Sequence, residues 1–145
     1  MKSGFAKDKV VLVTGAGGGI GREFALALGR EGAKVVVNDL GASLDGVGTD
    51  NERAQSVVDE IKAAGGEAIA NGESVADWDA AARMVQLAVD TYGRIDCVIN
   101  NAGILRDRFF FNMSKEDWHQ VIDVHLHGAF YVSRAAATHF KAQQS

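Results

Sequence analysis

Short apolar runs alternate along the chain with longer stretches in which apolar residues recur every three or four positions. The first run, Val10–Val13, is apolar throughout, which predicts a strand buried on both faces. Similar runs predict strands at 34–38, 67–70 and 96–100. Strands that alternate with helices pair in parallel through right-handed crossovers. The pattern therefore predicts the N-terminal part of a doubly wound α/β sheet.

The helical stretches between these strands each end near a glycine, at Gly32, Gly65 and Gly93. A glycine-spaced loop at 41–48 precedes the second helix. The periodicity predicts these inner faces: Ile20, Phe24, Ala27 and Leu28 in the first helix, Ala54, Val57, Val58 and Ile61 in the second, and Ala81, Met84, Val85, Ala88 and Val89 in the third.

The last helix is the longest and is predicted from Ser114 to about residue 140. Ser114 and Asp117 have the spacing of a capping box, in which each side chain bonds the backbone N–H of the other residue. The predicted inner face consists of Trp118, Val121, Ile122, His125, Leu126, Ala129 and Phe130.

The turn between the first strand and the first helix, 14–21, reads TGAGGGIG. Glycines let a backbone turn tightly and approach a pyrophosphate, and the helix N-terminus then offers N–H groups to the phosphates. This pattern predicts a dinucleotide site that includes Gly15, Gly19, Ile20 and Gly21. A glycine turn without a ligand is the alternative interpretation.

Asp39 follows the second predicted strand directly. A carboxylate at that position can accept hydrogen bonds from both hydroxyls of an adenosine ribose. It would repel a 2′-phosphate, and the next residues, Leu40, Gly41 and Ala42, include no arginine to neutralise one. The cofactor expected from the sequence is therefore NAD rather than NADP. A solvated loop aspartate is the alternative.

The turn at 14–21 and the segment Asn100–Gly103 after the fourth strand together resemble the signature motifs of the short-chain dehydrogenase/reductase family. The similarity extends over essentially the whole chain. It implies the Rossmann fold, with residues 1–145 forming the NAD-binding N-terminal part of a single dehydrogenase domain.

Within that family, the chain is most similar to the (3R)-hydroxyacyl-CoA dehydrogenase units of type 2 peroxisomal multifunctional enzymes and to their bacterial relatives. The segments that carry this similarity are Val36–Gly41, Ala70–Val75, Gly103–Arg108 and Val124–Gly128. It implies hydride transfer between nicotinamide and a secondary alcohol or ketone, with a 3-hydroxyacyl-CoA as substrate. A different alcohol such as a steroid, or a non-catalytic dinucleotide-binding module, remains an alternative.

The resemblance also implies roles for single residues. Ile20 would lie beside the nicotinamide end of the pyrophosphate, and Ser74 and Val75 would contact adenine, although the family often has aspartate where this chain has Ser74. Asn101 would support the central strand and contact the nicotinamide ribose. Ala102 and Gly103 complete this set of predicted cofactor-binding residues.

His125 departs from the family pattern, which has an asparagine there that holds a proton-relay water. An imidazole both donates and accepts protons, so a catalytic relay role is one interpretation. A hydrogen-bonded structural histidine is the other. The remaining histidines of this helix, His119, His127 and His139, have no partnered ligand set, so no metal site is expected.

The Tyr-x-x-x-Lys pair on which the family's chemistry depends is not found in the chain. Tyr92 and Tyr131 are followed four positions later by Asp96 and Ala135 rather than by lysine. We therefore expect the C-terminal catalytic part of the domain to lie outside these residues. The long helix from Ser114 packs against a second subunit in the resembling family, which implies a homodimer or homotetramer.

Two further features have both a structural and a functional interpretation. Cys97 lies inside the fourth predicted strand and is expected to be a small core residue rather than a nucleophile. The aromatic run Phe109–Phe111 follows that strand and is expected either to line an acyl pocket or to cover the core.

Composition narrows the range of partners. The 145 residues carry a formal net charge of −4, which argues against nucleic acid or an anionic membrane as a partner. A single cysteine excludes an intramolecular disulfide and a multi-cysteine zinc site. Apolar runs fall short of the roughly 18 residues of a spanning helix, and the N-terminus lacks a signal peptide's apolar core. We expect a cytoplasmic protein from these features, and the family resemblance implies a peroxisomal one if the source is a eukaryote.

Overall fold

The computed structural model describes residues 4–41 and 51–145. Its strands are β1 (Val10–Val13), β2 (Lys34–Asn38), β3 (Glu67–Asn71) and β4 (Cys97–Ile99). They form a parallel 4-stranded sheet in the order β3-β2-β1-β4. The predicted parallel α/β sheet is therefore confirmed, and its central strand β1 is buried along its whole length.

The helices are α1 (Gly19–Arg30), α2 (Glu52–Ala63), α3 (Trp78–Tyr92), α4 (Lys115–Ile122) and α5 (Gly128–Gln143). Side chains of α1 and α2 pack on one face of the sheet against Val11 and Val35. Side chains of α3 and α5 pack on the other face against Leu12 and Val36. Helices on both faces explain why β1 is apolar at every position and β2 is apolar through its three central residues, instead of alternating.

The predicted inner faces of α2 and α3 are confirmed, with Val89 packing at the margin of the core. The predicted face of α1 is wrong, because Ile20 and Phe24 are exposed. The buried residues of α1 are Gly21, Ala25, Leu26 and Gly29. Three of these four residues are small and bring the helix close to its neighbours, so Leu26 is the only large apolar side chain among its buried residues.

The predicted capping box is present at the start of α4. Ser114 Oγ accepts a hydrogen bond from the Asp117 backbone N–H at 3.0 Å, and an Asp117 carboxylate oxygen accepts one from the Ser114 N–H at 3.1 Å. The single long helix predicted from this cap is wrong, however. A wider π-helical turn at Asp123–His127 separates α4 from α5.

The inner face predicted for this region is also wrong, because Trp118, Leu126 and Phe130 are each more than half exposed. Helix α4 contributes no fully buried residue, whereas α5 buries Gly128, Val132 and Ala136. A π turn uses more residues per turn than an α-helix, so a periodicity extended across it no longer coincides with the buried face.

Cys97 is exposed, contrary to its prediction as a core residue, because β4 is the edge strand of the described sheet. The run Phe109–Phe111 is also exposed, and the rings of Phe109 and Phe111 stack with centroids 5.6 Å apart. These rings therefore do not cover the described core. Of the predicted loop at 41–48, only Gly41 lies within the described residues. Among the described residues, the helices are too short or too polar to cross a bilayer.

Candidate functional site

A cavity of about 480 Å³ opens at the carboxyl edge of the sheet, where the segments that follow β1, β2, β3 and β4 meet. Ligands of open α/β sheets bind at this edge. The structure brings these predicted cofactor-binding residues to the cavity wall: Gly15, Gly19, Asp39, Ser74, Val75, Asn101, Ala102 and Gly103. Ile20, Gly21 and His125 do not line it.

The glycine turn after β1 forms one wall of this cavity. Gly15 has a φ of +63°, a left-handed conformation that favours glycine. Gly21 lies beneath the turn, where a Cβ atom would collide with the Gly15 carbonyl oxygen and the Asn101 side-chain nitrogen. Glycine at these positions therefore permits both the shape of the turn and the close approach of α1.

The N-terminus of α1 is suited to an anion. Within this helix, which is described in full, no side chain caps the first turn and no acidic residue lies in it. The first backbone N–H groups and the positive end of the helix dipole are then available to a phosphate. Ile20 lies at this end with 71% of its surface exposed, and Gly21 is buried behind it.

Asp39 is held against the glycine turn and is only 7% exposed. One carboxylate oxygen accepts the Gly17 N–H at 2.8 Å, and the other accepts the Gly41 N–H at 2.8 Å. An ionised carboxylate has about four acceptor sites, so these two bonds leave capacity for ribose hydroxyls. Of the three residues that follow Asp39 in the sequence, Ala42 lies outside the described residues.

Thr14 and Asn101 join the glycine turn to the segment after β4. The Thr14 hydroxyl accepts the backbone N–H groups of Asn101 and Ala102, each at 3.0 Å. The Asn101 side-chain amide donates to the carbonyls of Thr14 and Gly15, each at 3.1 Å. We call this set of bonds the Thr14–Asn101 bridge. It ties the end of β1 to the segment after β4, and the roles that the resemblance implies for Asn101 stay predictions.

Asn38 positions the opposite wall. Its side-chain amide donates to the Asn71 side-chain oxygen at 2.8 Å and to the Glu73 carbonyl at 2.9 Å. These bonds hold the ends of β2 and β3 together, so that Ser74 and Val75 face the cavity. The Ser74 hydroxyl accepts the Ala76 N–H at 3.2 Å and retains its own proton to donate.

His125 lies in the π turn and lines a second, smaller cavity of about 140 Å³ beside Thr14 and Asn101. Its Nε2 atom is 3.1 Å from the Ile104 N–H nitrogen and 3.0 Å from the Ile104 carbonyl oxygen. The tautomer decides which of the two contacts is a hydrogen bond. Either bond gives the imidazole a structural partner, and the proton-relay role stays a prediction.

Sequence reasoning missed several residues of the main cavity, notably Arg53, Glu73, Arg106, Gln120 and Asp123. The Arg106 Nε donates to the Gln120 side-chain oxygen at 2.7 Å. A topological rule could have found them, because each lies in a segment that follows the carboxyl end of a strand, and ligands of such sheets bind at that edge. Within 4–41 and 51–145, no three His, Cys, Asp or Glu side chains come together as a metal site would require.

Comparison with known proteins gives consistent matches. The sequence model of a family described as short chain dehydrogenase matches residues 9–145. Mouse peroxisomal multifunctional enzyme type 2 is 54% identical over 93% of the chain, and the hydroxyacyl-CoA dehydrogenase ChsB1 of Mycobacterium tuberculosis is 46% identical over 92%. The crystal structure of a short chain dehydrogenase from Mycobacterium avium covers 97% of the chain at 55% identity, with a TM-score of 0.88.

The chain spans only part of each of these proteins. It covers 18% of the mouse enzyme, 40% of the M. tuberculosis enzyme and 49% of the M. avium chain. The match therefore concerns the part of those proteins that contains the glycine turn and the segment after β4.

Proposed function

Because the chain belongs to the short-chain dehydrogenase family, we propose that it forms the NAD-binding part of an oxidoreductase acting on a secondary alcohol or ketone. The observation that carries the proposal is the convergence of the glycine turn, the uncapped start of α1 and the Asp39 carboxylate on one cavity. A dinucleotide needs these three features in one place: room for its backbone, donors for its phosphates and acceptors for its ribose.

The residues present fit NAD. Gly19 and Ile20 begin α1 and would direct backbone N–H groups at the pyrophosphate, and Asp39 would accept the adenosine ribose hydroxyls. Ser74 and Val75 would flank adenine, and Asn101 to Gly103 would contact the nicotinamide half. A bound NAD would supply the nicotinamide ring as the hydride acceptor for the alcohol carbon, and these residues would contribute orientation and electrostatics.

Two observations support a 3-hydroxyacyl-CoA as the substrate. The segments 103–108 and 124–128 resemble those of hydroxyacyl-CoA dehydrogenase units, and the similar M. tuberculosis protein is named for that activity. The exposed run Phe109–Phe111 follows β4 at the edge of the sheet where ligands bind, and it would offer an acyl chain an apolar surface.

We expect the full-length protein to reduce NAD when a (3R)-3-hydroxyacyl-CoA is added, with NADH absorbance as the measurement. Activity on the (3R)-thioester should exceed that on the (3S)-thioester and on a steroid alcohol by roughly tenfold or more, since a fitted site discriminates by several contacts. The two poorer substrates serve as matched controls. Binding of NAD without turnover of any of the three alcohols would instead support a non-catalytic dinucleotide-binding module.

We also propose a homodimer or homotetramer. The exposed side chains of Trp118 in α4, Leu126 in the π turn and Phe130 in α5 offer apolar surface of the kind that subunit contacts bury. Light scattering of the full-length protein at micromolar concentration is expected to give twice or four times the monomer mass. A monomeric mass would contradict the proposal.

A further inference from the structure

Arg53, near the start of α2, lies against the glycine turn although the two are far apart in the sequence. A Cβ atom built on Gly18 would lie 2.5 Å from Arg53 Nη2, so the guanidinium occupies the space beside Gly18. A Cβ atom built on Gly17 would lie 2.9 Å from Arg53 Cβ and 2.7 Å from Asp39 Oδ2. Arg53 and Asp39 therefore border the same region of the cavity wall.

Gly17 leaves room for this arrangement, because a Cβ atom there would collide with the Asp39 carboxylate and with the Arg53 stem. At Gly18 a Cβ atom would meet only the flexible end of the Arg53 side chain, which can move aside. The turn thus leaves room for a cation supplied by another element of the fold. The Arg53 stem and the Asp39 carboxylate both lie within 3 Å of the position that a Cβ atom of Gly17 would take, so this cation is close to the carboxylate that would accept the hydroxyls of an adenosine ribose.

We infer that Arg53 is a second determinant of cofactor selectivity and binds the phosphate that NADP carries on the 2′ oxygen of its adenosine ribose. The inference rests on the proposed dinucleotide site. A guanidinium presents five N–H donors in a planar fork whose geometry matches a phosphate, and it stays charged at any physiological pH. Asp39 repels the same phosphate, so the two side chains have opposite effects on NADP.

This opposition has a measurable consequence for selectivity. With Asp39 as the only charged group, the site would exclude NADP strongly, because a carboxylate and a phosphate repel one another at short range. With Arg53 beside it, the phosphate gains a cationic partner, and NADP binds measurably although NAD remains preferred. NAD carries no 2′-phosphate, so its affinity depends much less on Arg53.

The test is titration calorimetry on the full-length protein with NAD, NADP and adenosine 2′,5′-bisphosphate. Arg53→Gln should weaken binding of the two 2′-phosphorylated ligands by roughly tenfold and that of NAD by less than about threefold, because charge-assisted bonds to phosphate are the strong ones. Arg53→Lys keeps the charge without the fork and should give an intermediate loss. Arg30→Gln, an exposed arginine at the far end of α1, is the matched control and should change nothing.

The possible outcomes separate this inference from the proposed function. Equal losses of NAD and NADP in Arg53→Gln would place the guanidinium on the shared pyrophosphate and overturn the inference. Unchanged NADP binding would also overturn it, provided that thermal melting shows the variant to be folded. If the wild-type protein bound neither dinucleotide, the proposed function would fail as well.

Discussion

Replacement of Gly21 by alanine is expected to destabilise the full-length protein by about 3 kcal/mol and to abolish NAD binding. The added methyl group would be directed at the Gly15 carbonyl oxygen and at the Asn101 side-chain nitrogen. One obstacle is backbone and the other belongs to the Thr14–Asn101 bridge, so neither can move without distorting the glycine turn. Thermal melting and an NAD titration would measure the two effects.

Glu23→Ala provides the control for Gly21→Ala. Glu23 lies in the same helix but is exposed, and its carboxylate pairs only with a neighbouring arginine at the surface among the described residues. Exposed pairs of this kind contribute between about 0 and 1 kcal/mol, so this variant should melt and bind NAD as the wild type does. A Gly21→Ala protein with wild-type melting temperature and NAD affinity would show that α1 does not approach the turn as closely as described.

Replacement of Asp39 by alanine is expected to weaken NAD binding at least tenfold, which corresponds to about 1.5–3 kcal/mol for a hydrogen bond to a charged group. NADP should lose less affinity, because removal of the carboxylate also removes the repulsion of its 2′-phosphate. Titrations with both cofactors would measure the change in preference. Equal losses for NAD and NADP would contradict the role of Asp39 in selectivity.

The contacts of Asp39 call for a second variant at this position. Its two oxygens accept the backbone N–H groups of Gly17 and Gly41, so alanine also leaves these donors without their acceptor. Asp39→Asn keeps one side-chain oxygen as an acceptor and removes the charge. If asparagine changes the NAD-to-NADP preference while the melting temperature stays close to wild type, the charge rather than the support of the turn sets selectivity.

The sequence predicts most of the fold correctly, because the buried strands are continuous apolar runs and two of the helices have a clear helical period of apolar residues. Helices α2 and α3 bury the large apolar residues that their periodicity indicates. Helix α1 does not, since Gly21, Ala25 and Gly29, three of its four buried residues, are small and give a weak hydrophobic signal. A helical period identifies an inner face only where side-chain size and burial coincide.

The region after β4 was predicted less well for a different reason. The capping box at Ser114 depends on two residues three positions apart and is confirmed by the structure. The π turn at Asp123–His127 interrupts a helix whose apolar period continues through these residues, so the period does not indicate it. A single helical period that continues through this turn predicts Trp118, Leu126 and Phe130 on the inner face, whereas all three are exposed.

The candidate site shows the same division between local and long-range information. Local context indicates the glycine turn and Asp39, the family resemblance indicates Asn101, and the structure brings all three to one cavity. Arg53 has no such local signal, because it lies 14 positions after Asp39, outside the strand end. The connection from β2 returns α2 to the same edge of the sheet, which places Arg53 beside Gly18. Charges supplied by the following helix should therefore be considered whenever cofactor preference is inferred from a strand end.

The Thr14–Asn101 bridge has a consequence for the order in which this protein folds. Its partners are separated by 86 to 88 positions along the chain. Contacts of such long sequence separation form late, because closing the long loop between the two partners costs conformational entropy before the contacts stabilise the chain. During synthesis, the hydrogen bonds of the Thr14–Asn101 bridge can therefore form only after the segment that follows β4 has left the ribosome. A nascent chain would therefore bind its cofactor only after these bonds have formed. Earlier folding intermediates would have no bound ligand to stabilise them against proteolysis.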